Sequence, residues 1–171
     1  VDRASSYNFF KPNVASWIYK NFKKDSEILD VGAGSGTYYN LLGKWYKNID
    51  AVEIYESNIY YYNLLEKYRR CFNVDIINFE YSFYDLIIFG DVIEHMTVQD
   101  AQKVIDYAYD RCKNLIVAVP YLLSSGAGNQ NVHEIHIQND LTKDVVADRY
   151  PKLKLLYGNN LYGYYIKCDE Q

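Results

Sequence analysis

Cysteine is scarce in this sequence: Cys71, Cys112 and Cys168 are the only three among 171 residues, and no two form a C-x-x-C pair. An odd number without paired spacing argues against a disulfide framework and against cysteine-bound zinc, so the three read as reduced thiols. A basic excess is missing too. Eighteen lysines and arginines face 22 aspartates and glutamates, for a net charge of −4. Phosphate-neutralising proteins usually carry the opposite balance, and Lys23-Lys24 and Arg69-Arg70 suit solvated helix ends better than a phosphate track. Nucleic acid is a poor match as partner. No apolar run approaches the roughly 18 residues that span a bilayer, and no opening stretch reads as a signal peptide. A cytoplasmic location with no membrane partner is expected; the sequence sets no oligomeric state.

What is present points to a folded chain. Apolar residues make up 49% of it, too many for disorder. The length suits one domain over residues 1–171, burying roughly two-thirds of its unfolded surface. Tyrosine occurs 20 times, including Tyr60-Tyr61-Tyr62. Such residues fill cores and rims, or offer a stacking surface to a ring.

Strand-like and helix-like segments alternate, the pattern of a parallel sheet covered on both faces. A leading helix from Pro12 would bury Val14, Trp17, Ile18 and Phe22. Strands are expected at Ile28 to Val31, Ile49 to Ile54, Phe72 to Ile76, Leu86 to Phe89 and Leu115 to Val119. Between them, helical stripes run through Tyr38, Leu41, Leu42 and Trp45, and through Tyr61, Leu64, Leu65 and Tyr68 behind a Ser57 cap. Thr97 and Asp100 resemble a capping box before Ala101, Val104, Ile105, Ala108 and Cys112. After the loop Ser124 to Asn131 come a modest helix, Leu141 to Tyr150, and two runs, Lys152 to Tyr157 and Leu161 to Ile166, spaced for an antiparallel hairpin.

The turn Gly32-Ala-Gly-Ser-Gly36 joins the first strand to a helix. Bare backbone and free N–H groups there admit a polar or negative ligand atom. Glu53 lies about 20 residues on, where dinucleotide folds place a ribose-binding carboxylate. A nicotinamide G-x-G-x-x-G needs its third glycine at the position of Thr37, and no Gly-Lys-Ser/Thr follows to make a P-loop.

The stretch Glu27-Ile-Leu-Asp-Val-Gly-Ala-Gly-Ser-Gly-Thr37 instead resembles the first motif of class I S-adenosylmethionine-dependent methyltransferases. The order of elements is similar to that family over essentially the whole chain. The resemblance implies an α/β, Rossmann-like three-layer sandwich whose mostly parallel seven-stranded sheet ends in an antiparallel hairpin. It also implies S-adenosylmethionine as cofactor and S-adenosylhomocysteine as product. Asp30, Gly32, Gly34 and Gly36 would form the loop under the methionine part, and Glu53 would take both ribose hydroxyls. Asp75 would approach the adenine amino group or cap a loop. Ile54 and Ile76 would sandwich the adenine ring or belong to the core. Gly90 and Asp91 would line the methionine end.

Asp85-Leu-Ile-Ile-Phe-Gly-Asp-Val-Ile-Glu-His-Met96 looks like the fourth motif of methyltransferases acting on small molecules or sugars, and lacks the Asn/Asp-Pro-Pro-aromatic sequence of DNA amino methylation. A sulfonium methyl is already electrophilic, so the protein mainly aligns the acceptor and removes its proton. His95 is a candidate base or a structural residue under the cofactor. His133 and His136 lie in a loop after the fifth strand, similar to one in many uncharacterised bacterial and archaeal methyltransferases; His136 would be a base, an orienting group or a loop lock. Asp91, Glu94 and His95 at i, i+3, i+4, with His133, form a lesser alternative set for Mg²⁺ or Mn²⁺. A Glu-x-x-Glu-His motif with a later histidine serves small-RNA 2′-O-methyltransferases in this way. No metal ligand is assigned in the leading reading. That reading is methyl transfer to an oxygen, less readily a nitrogen, of a small-molecule or saccharide acceptor held by Tyr7 to Phe10 and Tyr121 to His136. A metal-dependent RNA 2′-O-methyltransferase and a non-catalytic cofactor binder are the alternatives.

Overall fold

The computed structural model describes residues 8–123, 133 and 135–167. Helix α1 (Lys11–Asn21) leads into β1 (Ile28–Val31), α2 (Thr37–Leu42), β2 (Ile49–Val52), α3 (Glu56–Tyr61), α4 (Leu64–Lys67) and β3 (Arg70–Phe72). Then follow β4 (Tyr84–Gly90), α5 (Val98–Tyr109), β5 (Cys112–Pro120), α6 (Lys143–Arg149), β6 (Leu153–Gly158) and β7 (Tyr162–Lys167). The sheet runs β3-β2-β1-β4-β5-β7-β6, with β7 antiparallel between β5 and β6. The remaining neighbours pair in parallel, so the sheet is the expected one, seven-stranded, mostly parallel and ending in an antiparallel hairpin.

Burial explains the order of the strands. All four residues of β1 and of β2 are buried, as a sheet covered on both faces requires. On one face Leu29, Ile87, Phe89 and Val117 pack under α5 through Ala101, Val104, Ile105 and Ala108. On the other, Ile28, Ile88 and Ile116 meet Val14 and Ile18 of α1 and Tyr38 and Leu42 of α2. The Thr97 hydroxyl caps α5 by accepting from the Asp100 N–H at 3.1 Å, as its sequence suggests. Strand order reverses at β1 and β4, which opens a crevice beyond their carboxyl ends.

Three local expectations need correcting. Helix α2 ends at Leu42 with Gly43 as its cap; Trp45 falls beyond it and is exposed, while Tyr46 takes the buried place. The expected long helix after Ser57 is two short ones broken at Asn63, which has φ +52°. Tyr61 and Leu65 therefore face solvent, and Ser57 lies inside α3 with no capping bond. Strand β3 ends at Phe72, and Ile76 begins a single 3₁₀ turn instead.

Candidate functional site

The crevice has a volume of about 470 Å³ and is lined from every strand end between β2 and β5. Gly32 and Gly34 form its floor at φ +70° and +51°, a region that disfavours side chains. Gly32 also lies against the turn after β4, since a Cβ there would sit 2.5 Å from Val92 Cγ2. The Gly34 N–H donates to Glu53 Oε2 at 2.7 Å, and the Tyr55 N–H donates to Glu53 Oε1 at 2.8 Å. Two backbone donors thus aim the carboxylate at the loop it faces.

Not every predicted residue reaches this surface. Gly32, Gly34, Glu53, Ile54, Asp75, Ile76, Gly90 and Asp91 all line the crevice. Asp30 and Gly36 do not. Gly36 stands at the start of α2 with φ +80°, shaping the turn, and its N–H bonds the Ala33 carbonyl. Asp30 is buried beneath the loop and accepts the Tyr68 hydroxyl at 2.5 Å. Burial pushes its pKa up to about 7 despite that bond, with the nearby Glu53 adding to the rise. Asp75 caps the turn after it, accepting the Ile77 N–H at 2.9 Å, while still bordering the crevice. Ile76 is 7% exposed and belongs to the core as well as the crevice wall; Ile54 is open to solvent.

The opposite end is built by packing between distant segments. Residues Ile93–His95 make one 3₁₀ turn after β4, not the first turn of an α-helix. Asp91, at φ +56°, lies outside it, so the expected common face of Asp91, Glu94 and His95 does not form. His95 and His136 instead meet edge to face, with ring centroids 4.7 Å apart. His95 Nδ1 lies 3.2 Å from the Ile135 carbonyl and His136 Nδ1 lies 2.9 Å from the Leu123 carbonyl. A carbonyl only accepts, so each Nδ1 is the donor of its contact, which makes Nε2 the acceptor nitrogen in the matching neutral tautomer. Burial, with His136 and His133 nearby, lowers the His95 pKa to about 4. Glu94 is 1% exposed beside them. One ligand atom each from Glu94, His95 and His136 lies within 4.8 Å of the others. His133 is exposed at the rim, and Asn131, Glu134 and most of the expected acceptor loop, with Tyr7, lie outside the described residues.

Gln138 is a residue that the sequence reading missed. Its backbone N–H and that of Ile137 donate to the Glu94 carbonyl, at 3.0 and 2.8 Å. Its side chain donates to the Ile93 carbonyl at 2.8 Å and accepts from Tyr150 at 2.9 Å. These bonds dock the segment carrying His136 onto the His95 turn. A lone glutamine in a polar stretch gives no periodic signal of that role.

Five carboxylates line the crevice (Glu53, Asp75, Asp91, Glu94 and Asp100) and, among the described residues, no lysine or arginine does. Such a lining favours a cationic ligand over an anionic one. A family model described as a methyltransferase domain matches residues 9–141. The chain belongs to that family. Its fold is that of the class I S-adenosylmethionine-dependent methyltransferases, and S-adenosylmethionine is the methyl donor such enzymes use. Among similar proteins is the carboxy-S-adenosyl-L-methionine synthase of Nautilia profundicola, 31% identical over 118 residues, or 64% of this chain and 50% of that protein. The chain thus matches about half the length of that curated relative. A methyltransferase structure from Clostridium acetobutylicum superposes with a TM-score of 0.70 at 12% identity, covering 95% of this chain and 92% of that one. The magnesium protoporphyrin IX methyltransferase of Synechocystis, with bound S-adenosylhomocysteine, superposes at 0.65 with 12% identity, over 96% and 90% of the two chains.

Proposed function

We propose that this domain transfers the methyl group of S-adenosylmethionine to an oxygen, less readily a nitrogen, of a small-molecule or saccharide acceptor. One observation carries the donor side: a Glu53 carboxylate held by the Gly34 and Tyr55 N–H groups at the edge of a glycine-floored crevice. There it would take the two ribose hydroxyls, with adenine between Ile54 and Ile76 near Asp75. The methionine part would cross the ends of β1 and β4 toward Gly90 and Asp91. The sulfonium would then face the imidazoles.

On the acceptor side, His95 and His136 meet at the crevice wall, and imidazole nitrogens there would hold an acceptor hydroxyl in line with the C–S bond. His136, open to the crevice and anchored through Nδ1, is the better placed to take the proton. The low basicity of His95 favours an orienting role. His133 would contact the acceptor from the rim. Calorimetry with S-adenosylmethionine, followed by a labelled-methyl screen of hydroxylated metabolites and saccharides, tests this. Absence of cofactor binding would overturn the reading.

A second reading is favoured by the cluster of Glu94, His95 and His136. A carboxylate and two Nε2 atoms, with both Nδ1–H groups anchored on carbonyls, suit a divalent cation in donor type and outer support. A cation held there would polarise an acceptor hydroxyl. Chelator that leaves methyl transfer unchanged removes this reading.

A further inference from the structure

Tyr162 does not line the crevice, yet it holds a residue that does. Fully buried on β7 opposite Pro120, it donates its hydroxyl to Asp91 Oδ1 at 2.5 Å. Asp91 stands at φ +56°, a left-handed conformation that aspartate tolerates better than most residues but does not prefer. Its N–H still bonds the Ala118 carbonyl of β5 at 3.1 Å. From α1, buried Lys11 acts electrostatically on the same carboxylate; burial lowers the Lys11 pKa and Asp91 opposes that. Strands β4 and β7 and helix α1 therefore converge on one carboxylate at the crevice wall.

The strand order gives this position its meaning. Glu53 follows β2, on one side of β1, whereas Asp91 follows β4 on the other. A ligand whose ribose meets Glu53 and which lies across the end of β1 brings its far end to Asp91. For the sulfonium nucleoside proposed above, that end carries an ammonium. A carboxylate oxygen has two lone pairs, so Oδ1 can accept the Tyr162 hydroxyl and retain capacity toward a cation.

We propose that Tyr162 is a positioning residue that fixes the Asp91 carboxylate to receive the ammonium of the cofactor's methionine part. The inference rests on the cofactor reading, and two probes separate them. S-Adenosylhomocysteine carries the amino acid; 5′-methylthioadenosine keeps adenosine and thioether but lacks it. By calorimetry, Tyr162→Phe and Asp91→Asn should each weaken S-adenosylhomocysteine about tenfold, the scale of one charge-assisted hydrogen bond. The double variant should be little weaker than Asp91→Asn, because both act through one carboxylate. Affinity for 5′-methylthioadenosine should be unchanged throughout. Equal weakening of both nucleosides, or undiminished S-adenosylhomocysteine binding in either Tyr162→Phe or Asp91→Asn, overturns the inference while leaving the cofactor reading in place. A native protein that binds neither nucleoside removes the cofactor reading and this inference together.

Discussion

The two ends of the crevice are assembled by different means. At the donor end, Gly34 and Glu53 are 19 residues apart and belong to one crossover between adjacent parallel strands. At the opposite end, where the methionine part and the acceptor would meet, His95 and Ile135 are 40 residues apart, and Tyr162 reaches Asp91 across 71. One end is a local motif, and the other exists only once the sheet has closed. Changes at the first should weaken both nucleosides alike, whereas changes at the second should be selective.

The largest effect should come from Gly34→Val. A branched side chain at φ +51° is strained, and it would project where bound backbone must be approached. Affinity for S-adenosylmethionine and for 5′-methylthioadenosine should fall together, by about a thousandfold, or about 4 kcal/mol. Calorimetry showing either nucleoside still bound at native affinity would defeat the placement of the loop.

Protonation contrasts the two ends more sharply. Asp30, with its pKa raised to about 7 from an ordinary 3.8, stays protonated in the folded chain where the unfolded chain has ionised. Its contribution is greatest below pH 3.8 and is lost as pH rises to about 7, a span of up to about 4 kcal/mol. Asp30→Asn should remove that fall and keep an acceptor for Tyr68. His95 works in the other sense. Its pKa is lowered from 6.5 to about 4, so its stabilising share is full above pH 6.5 and lost as pH falls to about 4. That span is about 3 kcal/mol. Between pH 4 and 6.5 the two slopes oppose each other. Thermal melts of chelator-treated protein should therefore show Asp30→Asn gaining stability with pH relative to native and His95→Gln losing it. Parallel profiles for all three would show that neither group titrates as its burial requires.

These contrasts explain what was legible in the sequence. Apolar runs such as Leu86 to Phe89 announced buried strands, and glycines followed by Glu53 announced the donor end, because each signal lies within one element or one turn. The exposed Tyr61 and Leu65 were misread because apolar spacing cannot register the left-handed break at Asn63. Asp91 and Glu94 have the spacing of a common helical face, but spacing alone does not reveal that a positive φ and a 3₁₀ turn intervene. Asp30 has the right motif position and the wrong exposure; it lies in a fully buried central strand, with its carboxylate turned to the Tyr68 hydroxyl. The pairing of His95 with His136 needed Gln138 to dock one segment on the other, a long-range event with no periodic trace.

The smallest effect expected is also the one that best calibrates the others. In Glu53→Gln, one amide N–H would face the Gly34 or Tyr55 N–H in place of a lone pair, because glutamine offers a single acceptor oxygen where the carboxylate offers two. The loop should loosen, and the ribose would lose a bidentate acceptor. S-Adenosylhomocysteine affinity should fall about tenfold, or about 1.4 kcal/mol. Because the ribose is common to both nucleosides, 5′-methylthioadenosine should weaken by the same factor. That equality is the mark of the donor end, just as selectivity is the mark of Asp91 and Tyr162. If Glu53→Gln discriminated between the two nucleosides, the ribose would not be its ligand, and the cofactor would lie the other way across β1.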